Sequence, residues 1–470
     1  MSKVNASVLD LVFGSDLASA DLISRAKVSR REFVRSQAML AVASPNAKGR
    51  RFSASEALDA FGFEILLAAV SEGQVALVPN REEPAKTLKG RREELGFEVA
   101  QLARLSGVEA SDIVRAETPG KLVAIRTINR LAPILALDER LLGFRHGAGS
   151  DSRLGVRLRQ LSSDYEQKKF SPTLVAALAE AAWIIERQQS LSARMGLTPS
   201  KVLAEFSPDN GYEFPTYLEG YRLAEQARLN IGLKLDEPIP NVRRLIEDRL
   251  TIPLIEAPLG QRFAGATIAN ADHRGIVVNT EGANQNVWVR RMTLAHELGH
   301  LLWDPTERLD RLMVDSYDDI EKGGITGNDP VEIRANAFAI AFLAPPNAVK
   351  QLVDRENEPE EAVSKLSDRF GISVTASTRH IENVCDIKLR YLKQEQRIEP
   401  STEWLAREDG LNDFYPLIDV PPSRRGRFAW VVLKSLEENL ISSDSAASYL
   451  ETTQERLAEK KSSILEVTAP

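Results

Sequence analysis

The stretch of the chain that decides the fold reads MTLAHELGHLLW and spans residues 292–303. Apolar residues on both sides of the central pentapeptide predict a buried helix. Residues four apart share a helix face, so His296 and His300 lie one above the other. Two imidazoles on one face can bind one zinc ion, with Glu297 placed to act as general base on water. The chain has only 5 His, which makes this spacing informative.

A catalytic zinc site usually has three protein ligands and an open position. The other three histidines have no partner at helix spacing: His146, His273 and His380. A carboxylate is therefore the better third ligand, and Glu332 lies in the first turn of a helix predicted after Pro330. Asn336 is one turn further on the same face, where it is expected to hydrogen-bond a ligating imidazole. The alternatives are two surface histidines on an ordinary amphipathic helix, a closed structural zinc site, and a solvated first-turn acid at Glu332.

Composition excludes several classes of protein. The chain has 470 residues with 43% hydrophobic and 27% charged residues, which is typical of a soluble multidomain protein. The net charge of −7 gives no indication that the chain as a whole binds nucleic acid. A single cysteine excludes an internal disulfide framework. The sequence shows neither a signal-peptide pattern nor an apolar run of membrane-spanning length, so a cytoplasmic protein without a membrane role is expected.

Residues 88–117 have the spacing of a helix-turn-helix, with Gly107 at the turn. The packing between its helices is predicted for four apolar residues: Leu102, Ala103, Val108 and Ile113. The candidate DNA contacts of this segment are Arg91, Arg92 and Arg115. Glu109 and Asp112 place negative charge on the second helix, which opposes binding to phosphates.

A weaker match to the same pattern lies at residues 22–35, where the predicted second helix is basic. Its candidate DNA contacts are Arg30, Arg31 and Arg35. A solvated amphipathic helix is the favoured alternative for this segment, although basic residues near 48–51 add to the DNA interpretation.

Residues 290–303, the run EIRANAFA at 332–339 and the following Leu-Ala-Pro at 343–345 resemble the ImmA/IrrE-type zinc metallopeptidases. The resemblance extends over about 150 residues. It implies that the zinc ligands are His296, His300 and Glu332, and that Glu297 is the catalytic base. The sequence departs from the family at Met292, where Phe is usual, and at Ala344, where Met is common.

Residues 88–117 are similar to the Xre/Cro-type repressor domain, which often accompanies this peptidase family. The match departs from the pattern at Val99, where a DNA-contacting glutamine is common. Members of the peptidase family cleave or antagonise helix-turn-helix repressors. The resemblance therefore implies a repressor or related regulator as the protein substrate.

The predicted fold class is α+β, and the chain is expected to be mainly helical and to have several domains. One domain is a zincin-like peptidase core, in which a small sheet packs on the HExxH helix. Another is a helix-turn-helix domain. Strands are expected at 252–257 and 265–279, and an extended substrate is expected to pair with 275–279. Residues 304–329 are expected to be a polar loop. Five segments are predicted: a helical N-terminal domain (1–84), a helix-turn-helix domain (85–147), a helical connector (148–205), the metallopeptidase domain (206–390) and a helical C-terminal region (391–470).

The leading hypothesis is a zinc-dependent endopeptidase coupled to a repressor-like module, in transcriptional control, stress response or a toxin–antitoxin system. A homodimer and contact with DNA are further expectations. The alternative is a DNA-binding regulator or antitoxin whose peptidase fold senses or docks a partner without turnover. Self-cleavage near the linkers 80–86 or 146–152 is a third interpretation.

Overall fold

A computed structural model describes most of the chain. The described residues are 6–15, 21–144, 170–197, 203, 206–207, 216–270, 273–309, 313–317, 320, 329–356, 358–389, 399–409 and 420–467. The predicted linker 146–152 and His146 lie outside them. The chain divides into two compact units, Met1–Leu197 with Tyr415–Pro470, and Thr198–Phe414. The predicted fold class, a mainly helical α+β chain, is confirmed.

The first unit contains a four-stranded antiparallel sheet and a set of short helices. The strands are β1 (Glu32–Arg35), β2 (Met39–Val42), β3 (Arg50–Ser53) and β4 (Gln74–Ala76), in the order β3-β1-β2-β4. The helices before residue 197 are α1 (Ala6–Phe13), α2 (Leu22–Val28), α3 (Ala54–Phe61), α4 (Phe63–Glu72), α5 (Ala85–Glu94), α6 (Val99–Ser106), α7 (Ala110–Ala116), α8 (Ile125–Ile134) and α9 (Pro172–Arg194). The sheet packs on α1, α3 and α4 through Phe33, Leu40 and Phe52, which are fully buried.

Neither the helix-turn-helix considered for residues 22–35 nor the amphipathic helix favoured over it is correct for the residues after Val28, where α2 ends. The segment expected to be a second helix contains strand β1, which pairs with β2 and β3 on its two edges. Phe33 and Val34 favour a strand, and tertiary pairing overrides the local helical period. Arg35 is 1% exposed, and its guanidinium donates hydrogen bonds to the carbonyl oxygens of Glu139 and Leu142. Arg35 is therefore a structural residue and cannot contact DNA.

The second predicted helix-turn-helix does form two packed helices. Gly107 ends α6 in the left-handed conformation at φ 63°, which glycine adopts without strain. Leu102 and Ile113 are fully buried between α6 and α7, and Ala103 is half-buried. The relation of this segment to Xre/Cro repressors stays a prediction.

Two of the three arginines predicted to bind DNA from this segment are buried in ion pairs. Arg91 pairs with Glu94 at 2.9 Å, and Arg92 pairs with Glu117 at 2.7 Å. Both guanidinium groups stabilise the helices internally, which corrects their assignment as DNA contacts. Arg115 is exposed.

The C-terminal residues of the chain complete the first unit. They form α19 (Arg427–Glu437), α20 (Ser443–Tyr449) and α21 (Gln454–Val467), numbered in chain order after the helices of the second unit. Ser442 caps α20 by accepting a hydrogen bond from the main-chain N–H of Ser445. The hydroxyl of Ser445 then donates to the buried carboxylate of Glu56 at 2.6 Å. These contacts explain why residues far apart in sequence belong to one unit.

The second unit has a four-stranded sheet and nine helices within the described residues. The strands are β5 (Leu254–Ala257), β6 (Phe263–Asn270), β7 (His273–Asn279) and β8 (Met313–Ser316), in the order β5-β7-β6-β8. The helices are α10 (Thr216–Ile231), α11 (Val242–Arg244, followed by a π-helical turn Leu245–Arg249), α12 (Val287–Trp303), α13 (Thr306–Leu309), α14 (Pro330–Leu343), α15 (Pro346–Val353), α16 (Pro359–Phe370), α17 (Val374–Cys385) and α18 (Thr402–Asp409).

The sheet and α12 form the layer on which the candidate site lies. Strand β7 is central, since it pairs in parallel with β5 and antiparallel with β6. Both of its edges are occupied, so the predicted pairing of substrate with residues 275–279 is wrong. The edge strands of this sheet are β5 and β8.

No helix in the described parts of the chain combines the length and apolar character that a membrane span requires.

Candidate metal centre

Two histidines of one helix form the base of the site. The helix α12 begins after Asn286, whose side chain accepts a hydrogen bond from the main-chain N–H of Trp288 at 2.9 Å. Apolar residues on every side of the helix bury it along most of its length. His296 and His300 are fully buried, and their Nε2 atoms lie 3.0 Å apart. The single turn between the two residues directs both rings toward one point, as the sequence predicts.

Glu332 approaches these rings from the N-terminus of α14. Asp329 caps this helix through its side chain. The Oε2 atom of Glu332 lies 3.5 Å from the Nε2 atom of each imidazole. Its Oε1 atom accepts a hydrogen bond from Arg308 at 2.7 Å, which holds the carboxylate in this orientation. The structure thus brings together the three residues that sequence analysis proposes as ligands.

A fourth candidate ligand, which is a second carboxylate, was missed by the sequence analysis. The Oδ2 atom of Asp315, in β8, lies 3.8 Å from Nε2 of His296. One donor atom from each of four residues lies within 4.8 Å of the others: His296, His300, Asp315 and Glu332. Asp315 falls in the segment that was expected to be a polar loop. Four residues are too few for an alternating pattern to reveal the strand.

Asp304, not Asn336, makes a hydrogen bond to the imidazole of a candidate ligand. Its Oδ2 atom lies 2.9 Å from Nδ1 of His300, and Arg334 donates a hydrogen bond to its other oxygen. The Nδ1 atom of His296 has no hydrogen-bond partner among the described residues. The predicted bond from Asn336 to an imidazole is therefore wrong. Helix spacing could have found Asp304, because it follows His300 by four residues.

Glu297 lies beside the four candidate ligands, and its side chain packs against strand β6. Its Oε2 atom accepts a hydrogen bond from the hydroxyl of Thr267 at 2.7 Å. Its Oε1 atom is buried and has no hydrogen-bond partner among the described residues. Gly265 lies directly below, since a Cβ atom there would come within 2.6 Å of Oε1. One carboxylate oxygen is thus fixed and the other is available to a ligand.

The charges of the site shift the pKa values of its members. Burial would lower the pKa of His296, but the nearby carboxylates of Asp315 and Glu332 raise it to about 9. Burial would also lower the pKa of His300, but Asp304 and Glu332 raise it well above its usual range. Burial raises the pKa of Glu332, but the two imidazoles hold it well below its usual range.

Burial, followed by the nearby charge of Asp315, raises the pKa of Glu297 well above its usual range. The imidazoles and Thr267 oppose this shift without cancelling it. A carboxyl group with a raised pKa is suited to exchange protons near neutral pH. A bound cation would lower the pKa again through its own charge.

These residues fit a divalent cation of the zinc type. Zinc binds imidazole nitrogen and carboxylate oxygen at about 2.0–2.2 Å, which places tetrahedral ligand atoms about 3.3–3.6 Å apart. The separations given above range from 3.0 to 3.8 Å. Oδ2 of Asp315 and Oε2 of Glu332 are buried without a hydrogen-bond partner among the described residues. Such burial is costly unless a cation compensates the charge.

The remaining histidines of the described residues are not ligands. His273 begins β7 and is half-buried. His380 is buried, with Nε2 donating to the carbonyl oxygen of Ala344 at 2.8 Å and Nδ1 at 2.9 Å from the hydroxyl of Tyr221. Burial lowers the pKa of His380 to about 4, so it is neutral at physiological pH. It has a structural role.

Three of the six predicted DNA-binding arginines are not buried. Arg30 and Arg115 are exposed, and Arg31 is half-buried and donates to the carbonyl oxygen of Leu11. Arg30 and Arg31 lie outside any described helix. They therefore lack the recognition helix on which their assignment depended.

A mainly apolar cavity of about 500 Å³ is lined in part by α12 and α14, the two helices that carry three of the candidate ligands. Met292 and Asn336 line it, and each is four residues from a candidate ligand on the same helix face. One helical turn is about 5.4 Å, so the cavity wall begins about one turn from the ligands. Trp288, Tyr221 and Ile340 supply much of its apolar lining.

Comparison with known proteins agrees with this part of the structure. Residues 247–381 match the family model described as the IrrE N-terminal-like domain, Peptidase_M78. The match covers β5 to β8, the HExxH helix and Glu332, but less than a third of the chain. No curated protein matches the chain. The peptidase part of the predicted resemblance is confirmed, whereas no family match covers the predicted helix-turn-helix. Residues 247–381 of the α+β chain are thus similar to the Peptidase_M78 family of the IrrE N-terminal-like type, and the candidate metal centre lies within these residues.

Proposed function

We propose that this protein is a zinc-dependent endopeptidase that hydrolyses a peptide bond in a regulatory protein. The observation that carries the proposal is the convergence of His296, His300 and Glu332 within the Peptidase_M78 match, with Glu297 on the helix of the two histidines. Zinc is favoured over harder cations because two of the candidate ligands are imidazoles.

The chain's own residues supply the binding and proton-transfer functions of this chemistry. A zinc ion, when bound, supplies Lewis acidity toward a carbonyl oxygen and toward water. Glu297 accepts a proton from water at Oε1 and returns it to the leaving amine, while Thr267 holds Oε2 in place. Asp304 fixes the ring of His300, so that Nε2 faces the cation.

The cavity beside the centre supports an endopeptidase rather than a purely structural metal site. Its volume of about 500 Å³ is large enough for a large apolar side chain of a substrate. Because its wall begins one helical turn from His296 and Glu332, a residue bound there places the adjacent peptide bond near Glu297.

The regulatory context is the less direct part of the proposal. It is supported by the resemblance to the ImmA/IrrE-type peptidases, which implies a helix-turn-helix repressor or related regulator as substrate. The two packed helices α6 and α7 agree with a repressor-like module. DNA binding by this chain receives less support, since Arg35, Arg91 and Arg92 are buried. We therefore place the endopeptidase ahead of the DNA-binding regulator.

The proposal is tested by comparing wild type with Glu297→Gln on a library of peptides prepared from a bacterial proteome. Both proteins should contain about one zinc per chain, because Glu297 is not among the proposed ligands. Only the wild type should generate new peptide ends, detected by mass spectrometry. Glu307→Ala, which removes an exposed acid after the HExxH helix, is the matched control and should cleave as the wild type does.

Glu332→Ala distinguishes the effect of losing the metal from the effect of losing the base Glu297. It should lose zinc and cleavage together, because it removes the third proposed ligand. The same cleavage pattern from wild type and Glu297→Gln would contradict the proposed function. A zinc content that is indifferent to Glu332 would contradict the proposed ligand set.

A further inference from the structure

Asp315 lies in a strand and not in a loop, so the main chain fixes the position of its carboxylate at the metal centre. Strand β8 pairs antiparallel with β6, and Asp315 lies opposite Gly265 at a register shift in the ladder. Beyond the strand, the main-chain N–H of Tyr317 donates to the carbonyl oxygen of Arg262 at 3.1 Å. The hydroxyl of Tyr317 donates to the carbonyl oxygen of Glu281 at 2.5 Å. Irregular pairing of this kind often redirects a side chain beside an active site.

The carboxylate itself is directed into the ligand set. The side chain of Asp315 is 6% exposed, and its Oδ2 atom has no hydrogen-bond partner among the described residues. This atom lies 3.8 Å from Nε2 of His296 and within 4.8 Å of the donor atoms of His300 and Glu332. A buried carboxylate oxygen without a partner is costly, and a shared cation removes that cost.

We propose that Asp315 is a fourth protein ligand, which closes the metal centre in the resting protein. The inference rests on the proposed function and concerns the regulation of the same site. A catalytic zinc site keeps its fourth position for water or substrate, whereas a site with four protein ligands is of the closed type. Here two imidazoles and two carboxylates complete the set. A substrate gains access only when the carboxylate of Asp315 leaves.

The position of β8 explains how a substrate displaces it. An extended peptide can add to the free edge of a sheet through main-chain hydrogen bonds. Strand β6 carries Thr267 and Gly265 at the floor of the site, and its outer edge is taken by β8. A substrate strand that pairs with β6 replaces β8 and removes Asp315 from the ligand set in the same movement. The resting strand therefore occupies the place that the substrate needs.

The proposal is tested with full-length protein loaded with Co²⁺, whose visible spectrum reports the number and type of ligands. Acetohydroxamate is titrated into wild type and Asp315→Ala, with Glu307→Ala as the matched control. If nine molecules in ten are closed at rest, the variant should bind acetohydroxamate about tenfold more tightly than the wild type. It should also release the metal to a chelator at least about tenfold faster, because a ligand is lost. The control should behave as the wild type does.

Asp315→Asn keeps the size of the side chain and serves if the alanine variant does not fold, as judged by circular dichroism. Equal affinity for acetohydroxamate and an unchanged cobalt spectrum in the Asp315 variants would overturn the inference. That result, together with Co²⁺ binding that depends on Glu332, would leave the proposed function intact. A wild type that binds no Co²⁺ would overturn both.

Discussion

Replacing Gly265 by alanine tests how closely β6 supports the proposed base. An alanine Cβ would lie 2.6 Å from Oε1 of Glu297, 3.0 Å from Cγ2 of Thr293 and 3.1 Å from the carbonyl oxygen of Val277. The first contact is 0.8 Å shorter than the 3.4 Å at which ordinary contact begins. The carboxylate must move by about that distance, because the strand and helix around it are buried. We expect a loss of about 1–3 kcal/mol in the free energy of unfolding from overpacking.

The same displacement should reduce peptide cleavage about 100-fold, since a misplacement of about 1 Å has an effect of that size on catalysis. Zinc content should remain at the wild-type level, because the three atoms nearest to the added Cβ belong to Glu297, Thr293 and Val277 and to none of the proposed ligands. Urea denaturation, metal analysis and the peptide library measure the three quantities. Gly90→Ala, in a helix with open space around the glycine, is the control and should stabilise the protein by about 0.5–1 kcal/mol.

A double variant identifies the clash as the cause. In a Glu297→Ala background the carboxylate is absent, so Gly265→Ala should lose less stability than it does in the wild type. The coupling between the two substitutions should be about 0.5–3 kcal/mol. Unchanged stability and cleavage in Gly265→Ala, or an equal loss in both backgrounds, would refute the reasoning.

Three further predictions concern other parts of the chain. Asp304→Ala should weaken zinc binding about 10–100-fold in a chelator competition, since the imidazole of His300 is then free to rotate. An unchanged zinc affinity would show that this ring needs no hydrogen-bond partner. The pKa of His380 is about 4 in the folded protein against 6.5 in the unfolded chain, so between pH 6.5 and pH 4 only the unfolded chain takes up this proton. The contribution of His380 to the free energy of unfolding should fall by about 3 kcal/mol over that window. Urea titrations of wild type and His380→Gln at several pH values should measure this loss as the difference between the two proteins. Arg92→Ala should lower the free energy of unfolding by about 3 kcal/mol, because it leaves the buried carboxylate of Glu117 without its ion-pair partner. Arg115 is exposed, so Arg115→Ala should change the free energy of unfolding by less than about 0.5 kcal/mol. Similar losses in the two variants would contradict the burial of Arg92.

The candidate site was largely predictable where its residues follow local rules. His296, Glu297 and His300 share one helix, and the period of that helix decides which side chains lie together. Glu332 was found because a proline and an acid in the first turn are typical of a helix start. Asp304 follows His300 by four residues and so lies on the same helix face. The same spacing argument could therefore have predicted its contact with His300.

The N-terminal residues show where local patterns mislead. Residues 22–35 have apolar spacing that is compatible with helices, yet Phe33 and Val34 lie in a strand. The strand is stable because β2 and β3 pair with it on both edges. Arg35 looks like a surface cation in the sequence, but three main-chain carbonyl oxygens of residues 139–142 accept hydrogen bonds from it. No pattern within a dozen residues contains that information.

The sequence by itself determined the HExxH helix, the helix that carries Glu332 and the peptidase family of residues 247–381, because helix periodicity, capping and motif spacing are properties of neighbouring residues. Only the tertiary structure decided that β7 is central and that β8 lies at the edge beside the metal centre. It also decided that Asp315 faces the ligands and that Arg35, Arg91 and Arg92 are buried. The physical reason is that strand order, register and burial depend on which distant segments pair and pack, and the free energy of those contacts outweighs local preference.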